Sequence, residues 1–191
     1  MTDYNTPTVN TDDVTLGQCI IYCDPYRTPT AAGVTPTTDV GSIDEVTVSV
    51  ARELLTMNQG TPQVMQIQYV IGETGTVKIK GWEWNFNNFY KVLSAGSTST
   101  SGREDYYDFG GEMDVHPMQI RLMHQMPTGA TIYLDFWKCT GAGTLDFAFN
   151  PKDFNKFDYS FNLWRGVSNW IGETLAVGAR LFRYTKVNPP A

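Results

Sequence analysis

The chain has 191 residues and carries 20 acidic against 14 basic side chains, a formal net charge of −6. That balance argues against a protein whose main work is gripping phosphates, which needs a basic face, but not against one that nucleic acid merely passes. With 41% hydrophobic and 13% aromatic residues, the chain is expected to form one domain with a real core. It has no apolar run of about 18 residues to cross a membrane. MTDYNTPTVNTDD lacks a basic-then-apolar leader, so a protein made and kept in a cytoplasm is expected.

In chain order, residues 1–14 are polar and acidic without periodicity and read as a loose arm. Leu16 to Tyr22, LGQCIIY, reads as the first strand. Residues 24–42 hold three prolines, two glycines and six Thr or Ser with no apolar period. A long loop follows, and long loops in compact domains are functional or mobile. Glu45 to Glu53 reads as a strand with Val46, Val48 and Val50 facing one way. The turn Gly60-Thr61-Pro62 leads into a partner, Gln63 to Ile71, with Met65, Ile67 and Tyr69 as its apolar set.

Val77, Ile79 and Gly81 then alternate with Thr76, Lys78 and Lys80, the period of a half-buried strand. The period changes at Phe86. Phe86, Phe89, Tyr90 and Leu93 fall at i, i+3, i+4 and i+7, one face of a helix over about 86–95. Asn85 suits its N-cap and Gly96 its stop. Trp82, Glu83 and Trp84 then sit at a strand-to-helix joint, where packing is a better use for the tryptophans than a sugar-stacking platform.

Ser97 to Gly102 reads as a flexible link, and Arg103 to Asp114 as an acidic, glycine-punctuated loop. Met118 to His124 and Ala130 to Lys138 read as a second hairpin about Pro127-Thr128-Gly129. Met118, Ile120 and Leu122 point inward on one strand, Ile132, Leu134 and Phe136 on the other. Short strands are expected at Leu145 to Phe149 and Phe157 to Trp164, and a last one within ARLFRYTKV. The two hairpins carry polar, often uncharged side chains on their other faces: Thr47, Ser49, Glu53, Gln66, Gln68, Gln119, Arg121 and Asp135. Such a face is wet; it is either an ordinary solvated surface or the lining of a water-filled space.

Chemistry finds little footing. Ser168 lacks the second glycine of a nucleophile elbow. His116 and His124 have no partner pattern. Gly141-Ala142-Gly143 does not continue into a dinucleotide fingerprint. The acidic run Glu104 to Asp114 matches no calcium-loop spacing. The three cysteines are an odd number in a chain too large to need staples. Cys19 and Cys23 in one strand would stand about 13 Å apart, beyond disulfide reach. A bridge stays open only if Cys23 already lies in the turn before Pro25. Reduced, buried thiols, with no catalysis and no cofactor or metal, are expected.

The stretches DVGSIDEVTVSVARELLTMNQGTPQ and YVIGETGTVKIKGWEWNFNNFYKVLSAG together resemble the tail tube (major tail) proteins of long-tailed bacteriophages. The matching features are Gly41, Val46 to Val50, Gly60-Thr61-Pro62, Glu83-Trp84-Asn85 and Leu93 to Gly96. Ile120 to Leu122, YLDFWK at 133–138 and Asp153-Phe154 continue the likeness, which spans about residues 16–165. The resemblance implies a mainly β subunit, a sandwich or split barrel with one flanking helix, shared with the type VI secretion tube. It implies hexameric rings whose sheets close into a larger barrel, stacked into a tail tube in the virion through which DNA is ejected into the host. Its partners would be other copies of itself, the tape measure protein, tail-end proteins and genomic DNA passing without specific binding; no membrane is involved. The polar faces would line the lumen, and an acidic wall would keep the duplex sliding.

Residues 166–191 fall outside the resemblance as a C-terminal extension. Residues 1–45 hold seven acids and one base, while 175–191 hold three bases and no acid. Tyr26 and Arg27 of the long loop, with Arg180, Arg183 and Lys186, are therefore expected at contacts between subunits. A ring at a tube end, or a carbohydrate-binding β-domain using Trp82 and Trp84, are the alternatives.

Overall fold

A computed structural model describes residues 19–30, 33–61, 63–82, 86–111, 113–142, 144 and 156–189. The fold is mainly β, as the alternating apolar positions require. Strands β1 (Cys19–Pro25), β2 (Ile43–Gln59), β3 (Val64–Gly81), β6 (Met118–Gln125), β7 (Thr131–Gly141), β8 (Phe157–Leu163) and β9 (Arg183–Val187) form one antiparallel sheet; helix α1 (Phe86–Leu93), a small hairpin, β4 (Ser97–Ser101) and β5 (Glu104–Asp108), and a single 3-10 turn at Val177–Ala179 complete the described elements. The expected arm 1–14, the strand at 145–149, Glu83, Trp84, Asn85 and Asp153-Phe154 lie outside the described residues, as do the side chains of Gln66 and Phe86. Among the described residues no helix is long and apolar enough to cross a membrane.

The strand order is β1-β6-β7-β8-β3-β2, with β9 beside β7. β7 is shared between two layers: its first half, Thr131 to Asp135, pairs with β9, and its end, Cys139 to Gly141, pairs with β8. The sheet folds over at this strand, so Val46 and Val48 of β2 face Leu122, Ile132 and Leu134 across a cleft. Residues before β2 close one side of this split barrel, where Cys23 N–H donates to Thr38 O and Val40 N–H to Ile21 O, both at 2.9 Å. Ile21, Val77, Ile79, Ile120, Phe136 and Phe161 fill the middle with essentially no exposure. Burying such side chains contributes about 1.5–3 kcal/mol each.

Three expectations change. The stretches 63–71 and 76–81 are one strand of 18 residues, not two. Gly72 and Gly75 are not breaks. A Cβ on Gly75 would stand 2.7 Å from Leu163 Cδ1, so that glycine marks a close approach of β8. The supposed flexible link 97–102 is β4, which turns into β5 through Gly102, at φ +65°. Polar alternation hid this hairpin, since Ser and Thr carry no apolar period.

The third concerns α1. Phe89 and Val92 are buried and Tyr90 and Leu93 pack against the core, as the period requires, but Asn88 and Lys91 on the other side are buried too. The helix is a middle layer: it closes the barrel end on one side, and β5 covers it on the other, Tyr107 meeting Phe89 edge-on at 5.8 Å. Asn88 is satisfied by Val40 O at 3.0 Å. Lys91 lies near Asp24 of β1. Burial works to raise the Asp24 carboxyl, but hydrogen bonds from Thr38 and Thr37, with Lys91, hold it below the ordinary carboxylate range. The helix ends at Ser94 (φ +50°), and Gly96 (φ +91°) then lets the chain pass Asp108 O, which a Cβ would meet at 2.6 Å.

All three cysteines are free. Cys19 and Cys23 share β1, which settles the open alternative against a bridge. Burial pushes the Cys23 thiol up to about 12, against a smaller pull from Lys91, and burial raises Cys139 well above its ordinary value. The fold therefore holds neutral thiols while the unfolded chain ionises them. Their contribution is intact below pH 9.0 and is lost as pH rises towards 12. At pH 8 a thiol reagent should modify native protein at half-buried Cys19 only, and all three cysteines in denaturant. Rapid labelling of Cys23 or Cys139 in native protein would contradict this packing.

Candidate assembly surfaces

Of the eight side chains expected on one polar face, the seven that are described belong to three separate places. Thr47 and Ser49 are exposed on the outer face of β2, next to Lys78 of β3 and Ser160 of β8, along a groove of about 620 Å³. This wall is not acidic. Glu45 and Asp158 are offset there by Lys78 and Lys80, and Lys80 Nζ pairs with Glu45 at 2.7 Å. Both groups are fully solvated, so the pair sets local charge and adds little stability.

Gln119 and Asp135 do not face water, contrary to the sequence expectation, and Arg121 is half-buried with them. Gln119 and Asp135 are 1% and 5% exposed. The residues that fell outside the resemblance explain why: segment 166–182 returns across this face of β6 and β7. Trp170 meets Trp137 at 5.0 Å, and Trp137 Nε1 donates to Ala179 O at 2.8 Å. With Leu175 they make a second, smaller core. Arg121 and Asp135, directly opposite across β6 and β7, form a two-bond pair at 2.8 and 2.9 Å, and the guanidinium lies 4.5 Å from the Trp170 ring centre. The Gln119 amide donates to Val34 O, and Val34 N–H to Trp170 O, which ties the long loop 24–42 to the same layer. Arg121, Asp135 and the tryptophans are thus a latch between sheet and C-terminal segment.

Glu53 and Gln68 stand elsewhere. Among the described residues β8 covers β3 only from Thr76 to Gly81, and β2 has no neighbour on its other edge. Beyond that point β2 and β3 run on together as a bare two-stranded arm, from the Val50–Gly75 pair to Gln59–Val64. Nine steps of about 3.3 Å from Val50 to Gln59 make it about 30 Å long. A register shift after Glu53 re-aims the side chains. One face then carries Leu55 opposite Tyr69 and Met57 opposite Ile67; the other carries Leu54 opposite Val70 and Thr56 opposite Gln68. Gln68 Nε2 donates to Thr56 Oγ1 at 3.2 Å. Leu55, Met57 and Tyr69 are 56%, 51% and 59% exposed. Met65, Ile67 and Tyr69, read from sequence as the apolar set of their strand, and Val50 of the facing strand, are therefore in solvent. Isolated hairpins are marginal in water, and a contiguous exposed apolar patch marks a contact surface.

Among the expected inter-subunit residues, Arg27 is exposed. Tyr26 is held by its own subunit, its N–H bonded to Pro117 O at 2.8 Å and its ring 5.2 Å from Lys138 Nζ. Arg183 and Lys186 are placed in β9 along β7, with Arg183 stacked 5.7 Å from Trp137. Arg180 sits instead beside the arm, lining a groove with Arg165 and Ile71. Trp82 does not offer a sugar platform: its N–H donates to Ser42 O, and Lys156 Nζ covers its ring at 4.3 Å while pairing with Asp44. Compared with known proteins, the chain matches no protein-family model and no curated protein.

Proposed function

We propose that this chain is a structural, self-assembling subunit of a phage tail tube, without catalysis. The observation that carries the reading is the arm of β2 and β3: a two-stranded projection with an apolar ladder on one face and nothing among the described residues to cover it. A protein built to act alone would be penalised by such a surface through aggregation. A protein built to meet copies of itself uses it as the contact. The edge of β2, free among the described residues, is the second support, because pairing it with a neighbour in a ring would extend the sheet and remove the edge.

In this reading six subunits close into a ring, the sheets join into one larger barrel, and rings stack head to tail without closure. The tube, made in the host cytoplasm and carried in the virion tail, surrounds a tape measure protein, ends on tail-end proteins and conducts DNA. The exposed polar face of β2, β3 and β8 is the candidate lumen wall, and its balanced charge and hydroxyls would neither grip nor strongly repel a duplex.

Purified protein, concentrated and viewed by negative-stain microscopy, should show hollow tubes of uniform width. Isolated rings would favour a tube-end protein. Monomers at every concentration and salt, with or without tail-end proteins to initiate assembly, would sink the proposal.

A further inference from the structure

Two grooves flank the root of the arm and share Glu73, Val177 and Leu181. One also includes Arg52, and the other, of about 460 Å³, includes Arg165, Arg180 and Ile71. Three guanidiniums thus line the two grooves that share the Glu73 carboxylate, which is engaged by Arg52 at 2.9 Å. Among the described residues Arg165 and Arg180 make no ion pair, and Arg180 Nε is shut from solvent without a hydrogen-bond partner. The floor is apolar and open, with Ile71 56% and Val177 76% exposed. The site is basic at its rim and apolar at its base.

One stretch of this chain has the opposite character. From Glu104 to Val115 the described acids Glu104, Asp105, Asp108 and Asp114 are all exposed, and so are Phe109, Met113 and Val115. Met113 is 97% exposed, an unusual place for a large apolar side chain. This loop belongs to the α1 end of the subunit: β5 packs on the helix through Tyr107, and His116 N–H donates to Ser94 O at 2.8 Å. Glu73 lies eight residues before Gly81 along β3, about 26 Å from that end.

We infer that the basic, apolar groove at the arm root receives the acidic, apolar 104–115 loop of a second copy of this chain. The inference rests on the self-assembly reading and names its axial contact. Acid meets base at the rim, and Phe109, Met113 or Val115 covers Val177 and Ile71. A patch at one end binding a different patch at the other end is heterologous, so the contact repeats without closing. Charge complementarity here fixes partner and register more than it adds affinity, and it weakens with salt.

The test uses full-length protein in three forms: wild type, R52E/R165E in the groove and D108K/D114K in the loop. Each substituted form should remain folded by circular dichroism, because all four side chains are exposed. Each alone should need about tenfold more protein to polymerise. Mixed in equal amounts they should recover polymerisation, since each then offers an intact half-contact to the other and the reversed halves also match. The double swap in one chain provides a second check and should polymerise like wild type. Polymerisation of both single-site forms at wild-type concentration would overturn this contact while leaving the tube reading intact. So would failure of the mixture and the double swap to recover. Loss of duplex-DNA binding in R52E/R165E with unchanged polymerisation would overturn it too and give the groove to phosphates. Failure of wild type to polymerise under any condition would instead remove the reading beneath it.

Discussion

L55K/I67K should give a protein that folds like wild type and does not assemble. Both side chains lie on the apolar face of the arm, Leu55 56% and Ile67 41% exposed, where the monomer already solvates much of them. Lysine there costs the monomer little beyond strand propensity, at most about 1 kcal/mol. The assembled state is different. Covering the remaining exposed part of each apolar side chain is worth about 1 kcal/mol. Burying an unpaired ammonium in the same contact costs several kcal/mol more. A combined loss above about 4 kcal/mol per contact is roughly a thousandfold in affinity. Sedimentation should show only the single-subunit species at concentrations where wild type forms polymer, and thermal melting of the two monomers should agree within a few degrees. Tubes formed by L55K/I67K would show that the arm is not the contact. The control is T56K on the mixed face, where Thr56 already bonds Gln68; it should impair assembly much less.

The arm also shows where sequence pattern stops being informative. Met118, Ile120 and Leu122 alternate with polar residues and are buried; Met65, Ile67 and Tyr69 alternate in the same way and are exposed. Periodicity reports which face of a strand is apolar. It does not report whether the same chain supplies a cover, because that depends on the lengths of neighbouring strands, and β8 stops seven residues after it starts. The reverse holds for Gln119, Arg121 and Asp135. Their face is polar by composition and yet buried, because Trp137, Trp170 and a paired arginine make a polar layer able to pack. The clue available in the sequence was Trp170 in the C-terminal extension, a large aromatic that an ordinary tail has no reason to carry. The single helix and both hairpins were legible because each has its own period and its own turn residues. The double burial of α1 was not, since it depends on β4 and β5, whose Ser, Thr and Asp residues leave no apolar trace.

The seat of α1 on β7 is where the smallest substitution should do the most damage. Gly141 closes β7 beneath the C-terminal turn of α1, its N–H donating to Ser94 Oγ. A Cβ built there would stand 2.1 Å from Val92 O and 2.7 Å from Lys91 O. Both are helix backbone, so no rotamer change can relieve the clash. α1 must move away from the barrel by more than an ångström while Phe89 and Val92 are fixed in the core. Overpacking of this kind costs about 3 kcal/mol, which for a domain of this size lowers the melting temperature by roughly 10 °C. Gly178→Ala, where nothing lies within 4 Å, should melt like wild type and isolates the effect from glycine entropy. The consequence extends past stability. α1 carries β5 through the Phe89–Tyr107 contact, and β5 leads into the acidic loop, so a displaced helix displaces the proposed axial contact 20 or more residues farther along the chain. Gly141→Ala should therefore assemble poorly even at temperatures where circular dichroism shows it fully folded. A variant that melts within 2 °C of wild type and assembles normally would mean that α1 does not seat on β7 in this way.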